Sequence, residues 1–283
     1  MFALTPGQPV EIGQGVWRLL ALNPGMMSGP GTNTYLLADG DGLAVLDPGP
    51  ADSRHIDNIL RASETLNRPL TRVLVTHTHR DHSPGVALLR PHCRGQAIGP
   101  VRLDDPLQDD TWMPDQVLHD GDRVDLGELI LRVIATPGHV SNHLCYLEEH
   151  SGLLFSGDHL INGSTVVIAP PSGSMSAYLQ SLRRLLDEPV KLIAPGHGDL
   201  IRDPVRTVEA TIGHRLAREE KVFQALAVMP DSLPGDLVAE VYTDVPTFLH
   251  GVAAFSLEAH LIKLVEDGRA LRRDDGRYNG LAR

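Results

Sequence analysis

The chain has 283 residues, 42% hydrophobic and 22% charged, and a formal net charge of −11 at pH 7. That length allows one large domain, or one domain with a small appendage, and the composition is that of a globular protein. The acidic balance works against sequence-independent binding to nucleic acid, whose grip depends on neutralising phosphates.

In chain order, Val16–Leu20, Thr34–Leu37 and Leu43–Leu46 read as strands, with Asp39-Gly40-Asp41-Gly42 as a hairpin turn between the last two. Residues 52–66 have helical spacing, with Ile56, Ile59 and Leu60 on one face. Val73-Leu74-Val75 reads as a buried strand. Ser83 and Pro84 then predict the N-cap and first turn of a helix running to about Arg90. Leu129–Ile134, Leu144–Leu147 and Leu153–Phe155 are strands, Ser176–Leu186 a helix and Lys191–Ala194 a last strand. Strands interleaved with helices predict a layered α/β domain over residues 1–204. Residues 205–283 read differently: helices over 207–228, 237–242 and 252–267, then a hairpin over 269–278 turning at Asp275-Gly276. That order predicts a winged-helix-like α+β module.

Cys93 and Cys145 are too few for a disulfide framework and read as ordinary thiols. The segment Met1–Pro6 has no basic residue or apolar run of a signal peptide. No stretch of about 18 apolar residues is expected to span a membrane, so a cytoplasmic location is expected.

Four potential ligands fall together in Thr76-His77-Thr78-His79-Arg80-Asp81-His82, just after a strand. Three more strand ends repeat the context, delivering His139, Asp158 and His197. Functional groups in α/β sheets gather at the carboxyl ends of strands, so seven nitrogen and oxygen ligands are predicted to converge. Gly138, Gly157 and Gly196 each precede a candidate ligand, where a left-handed φ or close backbone approach is expected. Burying His77, His79, Asp81 and His82 together without a cation would be costly. His55, His92, His119, His150, His250 and His260 are assigned packed or solvated roles; His143 and His159, close to ligands in sequence, are assigned plain structural roles ahead of contact with a ligand or substrate.

The pattern H-x-H-x-D-H followed by later His, Asp and His ligands resembles the metallo-β-lactamase superfamily. That resemblance implies an αββα sandwich. It implies that His77, His79 and His139 hold one divalent metal, that Asp81, His82 and His197 hold a second, and that Asp158 bridges both. It further implies a metal-bridging hydroxide as nucleophile, with catalytic Asp81 orienting it or taking its proton, and Asp47 orienting a ligand from beneath. Zinc is the expected metal, with iron or manganese as alternatives.

Asp158 stands where the two-zinc antibiotic-hydrolysing enzymes commonly carry cysteine, which argues against β-lactamase activity. The spacing of the late ligands leaves no room for a β-CASP insertion. Pro30–Leu36, Thr76–Gly85, Pro195–Gly198 and His214-Arg215 make nearly the whole chain resemble the β-lactamase-like protein 2 group. That group includes single-strand-specific endoribonucleases and polyketide thioesterases. Phosphodiester hydrolysis of single-stranded RNA is the first expectation, resting also on Arg269, Arg272, Arg273 and Arg277. The alternative is a thioester, lactone or small-ester substrate. A third reading is a non-enzymatic winged-helix regulator. Against it, residues 205–283 carry ten Lys and Arg but twelve Asp and Glu, and the candidate recognition helix has only Lys263. No binding to duplex DNA or membranes is expected, and a homodimer is an open expectation.

Overall fold

The computed structural model describes residues 5–281, so Met1–Leu4, part of the N-terminal reading above, lie outside the described residues. Contacts divide the chain into two units. The first comprises Met1–Thr136, Asn142–Thr165 and Pro189–Pro204. Its larger sheet runs in chain order: β1 (Val10–Gly13), β2 (Val16–Leu20), β3 (Asn33–Asp39), β4 (Gly42–Leu46), β5 (Leu70–Leu74), β6 (Ala97–Gly99) and β7 (Gln116–Val117). The first four strands pair antiparallel and the rest parallel. The smaller sheet takes β8 (Arg123–Asp125), β9 (Ile130–Ala135), β10 (Leu144–Glu148), β11 (Leu153–Gly157) and β12 (Leu192–Pro195), with β12 parallel to β11.

The apolar runs of β3 and β4 are buried at every position, because each face of the larger sheet is covered. Side chains alternate between faces with period two. Leu37, Leu46 and Leu74 join Val133, Tyr146 and Phe155 in a core between the sheets. Their neighbours Leu36, Val45 and Val73 point the other way, onto Ile56 and Ile59 of α1 (Ser53–Thr65) and Val86 of α2 (Gly85–Leu89). Each such leucine, removed from water, contributes about 2 kcal/mol. The Asp52 side chain caps α1 by accepting from Arg54 N at 3.0 Å. At α2 the expected cap is absent. Ser83 Oγ instead donates to Asp109 Oδ2 at 2.6 Å, and no side chain caps the helix, which is one turn and a half long before Arg90–His92 tighten into 3₁₀.

The second unit comprises Pro137–Ser141, Val166–Glu188 and Val205–Arg283. It therefore takes in two segments from before residue 204. It holds α3 (Met175–Leu185), most of α4 (Pro204–Val228), α5 (Pro234–Val241), α6 (His250–Glu266), and the hairpin of β13 (Ala270–Arg272) and β14 (Tyr278–Gly280). Its core gathers Val222 and Leu226 from α4, Leu237 and Val241 from α5, Leu257, Leu261 and Leu264 from α6, and Tyr278 from the hairpin. Contrary to the expectation of no span-length apolar stretch, Thr247–Glu266 is long enough and apolar enough to cross a membrane, at a mean hydropathy of 1.3. Part of that apolarity has a use within the unit, since three of its leucines form one face of this core.

Candidate metal centre

The segment Thr76–His82 leaves the end of β5 and turns back toward α2. The turn is closed by His82 N donating to the His79 carbonyl at 3.0 Å. His77 and His82 come out fully buried, while His79 and Asp81 are half-buried. The ring centroids of His77 lie 4.7 Å from His79 and 4.2 Å from His82. The end of β11 brings Asp158, and the end of β12 brings His197. His82 Nε2 lies 3.3 Å from His197 Nε2 and 3.4 Å from Asp158 Oδ1. His197 Nε2 lies 3.1 Å from Asp81 Oδ2 and 3.5 Å from Asp158 Oδ1. Within the first unit, then, His77, His82 and Asp158 form one group able to hold a metal ion, and Asp81, His82 and His197 form another. His139 belongs to the second unit, where its Nδ1 meets the Val167 carbonyl at 2.7 Å.

The outer nitrogens fix which way each imidazole presents its lone pair. His82 Nδ1 lies 2.9 Å from Asp47 Oδ2. Thr76 Oγ1 donates to the same Oδ2 at 2.7 Å, so it accepts from His77 Nδ1 at 3.0 Å. His197 Nδ1 meets the Gly31 carbonyl at 3.2 Å. Carboxylates and carbonyls only accept, so these Nδ1 atoms carry the protons and each Nε2 is left with a lone pair. The Nε2 atoms of His82 and His197 and the carboxylate oxygens of Asp81 and Asp158 then face one another at 3.1–3.8 Å. Such a donor set fits a divalent cation bound through nitrogen and oxygen.

The charge balance reads the same way. Burial alone would lower His197, but the Asp158 carboxylate, and then Asp81, lift it to about 10. Burial likewise opposes protonation of His82, and Asp158, Asp81 and Asp47 override it and push its pKa well up. For Asp81, burial works upward, but His82 and His197 hold the carboxyl down at about 2. Burial, then the neighbouring imidazoles, push His77 well down. The cluster as a whole demands positive charge, which a proton or a cation can satisfy.

A supporting layer lies behind the ligands. Asp47 has a left-handed φ of 50°, a conformation costing roughly 1–3 kcal/mol outside glycine. It is held there by its own carboxylate, whose Oδ1 accepts from Thr76 N at 2.7 Å. His143, assigned a plain structural role from sequence, accepts from Asp158 N through Nε2 at 3.2 Å, with Nδ1 on Thr136 Oγ1 at 2.9 Å. His55 sits behind Asp47: Thr34 Oγ1 donates to the Asp47 carbonyl at 2.7 Å and meets His55 Nε2 at 2.9 Å. Asn33 donates to the carbonyls of Pro195 and Gly198, both at 2.9 Å, pinning the turn that carries His197. Sequence reasoning gave His55 and Asn33 no such part, and for His143 it set contact with a ligand behind a plain structural role. Their only signal was proximity to a ligand or a strand end. Of the two expectations for Gly196, the left-handed backbone is absent and the close approach is present. What it supplies is space: a Cβ there would stand 2.6 Å from Asp158 Oδ1 and 2.7 Å from His82 Cε1.

Two loops of the first unit border these ligands. One, residues 21–33, ends on the Gly31 carbonyl beside His197 and contains no charged residue, while Met26 and Met27 are 61% and 53% exposed. The other, residues 100–115, reaches the Thr78 carbonyl through Asp109 N at 2.7 Å and exposes Val101, Leu107 and Met113. It carries Asp104, Asp105, Asp109, Asp110 and Asp115 against Arg102. The basic cluster predicted on the C-terminal hairpin is engaged within its own unit. Arg269 pairs with Glu219 and Glu220, Arg273 with Asp231, and Arg277 with Asp275, while Arg272 lies 5.8 Å from the Tyr278 ring centroid.

Residues 28–197 match the metallo-beta-lactamase superfamily, and residues 234–278 match the beta-lactamase associated winged helix domain. The chain belongs to the metallo-beta-lactamase superfamily. It is 32% identical to the beta-lactamase-like protein 2 homolog of Drosophila melanogaster, over 90% of this chain and 89% of that protein. It is 33% identical to the thioesterase pkgB of Emericella nidulans, over 75% of this chain and 59% of that protein. The crystal structure of a beta-lactamase domain protein from Burkholderia ambifaria superposes with a TM-score of 0.83 at 23% identity, over 99% of this chain and 95% of that one. That likeness extends the shared fold across the winged-helix module. As a metallo-beta-lactamase superfamily member, the chain is a hydrolase, and its His and Asp cluster fits the divalent metals that the superfamily typically binds.

Proposed function

We propose that this protein is a dinuclear metal-dependent hydrolase of carboxylic thioesters or esters. In this reading His77, His79 and His139 would hold one cation and Asp81, His82 and His197 the other, with Asp158 available as a ligand to them. Zinc is the proposed metal, and the same nitrogen and oxygen donors accept iron or manganese. When bound, divalent cations supply Lewis-acid activation of water and of the electrophilic carbonyl. The chain's own residues do the rest. Asp47 and Thr76 hold His82 and His77 with their Nε2 lone pairs inward. Asp81, ionised at neutral pH and partly open to solvent, is placed to accept a proton at its carboxylate.

The observation that carries the substrate class is the character of the two bordering loops. Exposed methionines and aliphatic side chains suit an acyl chain. Five aspartates against one arginine repel a polyphosphate backbone. The pairing of Arg269, Arg273 and Arg277 with carboxylates weakens the residue-level support for RNA. The name of the Emericella nidulans relative points the same way.

The test is turnover of a panel of acyl-CoA thioesters and simple esters beside unstructured RNA, by wild type and by Asp158→Ala. Thioester or ester turnover lost in the variant supports the reading. Metal-dependent cleavage of RNA alone, lost in the same variant, overturns it.

A further inference from the structure

The turn Pro137–Ser141, which carries His139, is built into the second unit. The Gly138 carbonyl accepts from Ser174 N at 2.8 Å, and the Pro137 carbonyl from Ser181 Oγ at 2.8 Å. Gly138 lies so close to α3 that a Cβ would stand 2.3 Å from the Tyr178 Cα. The backbone of the turn is therefore fixed, but the imidazole needs its own anchor. That anchor is the Val167 carbonyl, which accepts from His139 Nδ1 at 2.7 Å. A carbonyl only accepts, so Nδ1 carries the proton and Nε2 keeps its lone pair.

Val167 lies between two clamps from the C-terminal helices. Arg215 of α4, 3% exposed, donates from its guanidinium to the Val166 carbonyl, with its Cζ 5.4 Å from the Tyr178 ring centroid. Ser256 of α6, 6% exposed, accepts at its Oγ from Ile168 N at 3.1 Å. Two long helices thus grip the residues on either side of the carbonyl that accepts from His139. A bare arginine and serine elsewhere on these helices would serve packing alone. Here their bonds and that of His139 fall on two consecutive peptide groups, the Ser256 bond on the N–H of the very group whose carbonyl holds His139.

We propose that Arg215 and Ser256 are positioning residues for His139, and that the winged-helix module sets the direction and tautomer of this ligand rather than reading nucleic acid. The proposal rests on the reading of His139 as a metal ligand.

The test is metal content, and the rate at which a chelator strips the metal, in full-length wild type, Ser256→Ala, Arg215→Met and Arg215→Lys. Unfolding midpoints are measured in parallel, with Leu237→Ala as a variant that weakens the module core only. Arg215→Met is expected to release one of its two ions about tenfold faster, the scale set by groups that orient ligands from behind. Ser256→Ala is expected to release it severalfold faster, and Arg215→Lys to recover part of the loss. Leu237→Ala is expected to lower the midpoint with the release rate unchanged. If Arg215→Met does not fold, Ser256→Ala decides alone. Wild-type release from both variants overturns this proposal and leaves the metal centre standing. So does a Leu237→Ala variant that loses metal as fast as Arg215→Met. A wild type that takes up no metal overturns both.

Discussion

Glu219 in the C-terminal module and Asp158 in the first unit are both buried carboxylates, 4% and 9% exposed, but they keep different company. Glu219 lies 3.0 Å from the Lys263 ammonium and 3.4 Å from the Arg269 guanidinium, with Asp244 paired to Arg218 nearby. Every carboxylate in that network has a cation that is part of the chain. Asp158 meets imidazoles, and Asp81 and Asp47 stand beside the same rings. Positive charge enters through those rings as protons, or from an external cation. The difference teaches how to read a buried ionic cluster. One balanced by Lys and Arg holds a fold together, and one left acid-rich among histidines is built to receive something.

Asp158 is where the two clusters should differ most. Asp158→Ala should empty most of the centre and cut hydrolysis by about a thousandfold, the ~4 kcal/mol scale of Lewis-acid stabilisation. Metal analysis and kcat/KM check it, and retention of both metals would break the contrast. Glu219→Leu should do the reverse. It leaves Lys263 and Arg269 without their shared partner and should cost on the order of 3 kcal/mol of stability, with metal content unchanged. A urea titration with metal analysis on the same sample tests this.

Acid separates the two regions further. Burial holds His55 down at about 4, below its ordinary 6.5. The unfolded chain therefore binds this proton first, and stability should fall as pH drops from about 6.5 to about 4, by up to roughly 3 kcal/mol. His55→Gln should flatten that part of the pH–stability curve, and an unchanged slope would refute the assignment. Asp47→Asn keeps the size but weakens the hold on His82 Nδ1. Metal should leave it about tenfold faster, as a chelator competition would show. The smallest effect is expected at Asp244, held down to about 2 by Arg218 but half exposed. Asp244→Asn should cost under about 1 kcal/mol, because solvent screens the pair.

Much of the first unit was legible because its rules are local. Short apolar runs bounded by turn residues marked β3, β4 and β9, and the helical spacing of Ile56, Ile59 and Leu60 marked α1. The ligand cluster was legible because four donors in Thr76–His82 have no other economical use. Ser83 shows where local rules fail. Its side chain had the right neighbours for a cap, but Asp109, distant in sequence, offered a charged acceptor. His55 and His143 look like any buried histidine in sequence. Their partners Thr34, Thr136 and the Asp158 amide come from other strands.

By itself the sequence determined the strand and helix pattern, the seven candidate ligands and the three-helix-and-hairpin order of the C-terminal module, since these follow from periodicity and spacing along the chain. Only the tertiary structure decided the rest. It showed which imidazole nitrogen faces inward, because that depends on an acceptor such as the Asp47 carboxylate or the Val167 carbonyl. It also showed that Arg269, Arg273 and Arg277 of the hairpin are paired with carboxylates and that the turn bearing His139 folds with the C-terminal helices. Hydrogen-bond partners and charge balance are properties of groups brought together in space, and the order of residues does not contain them.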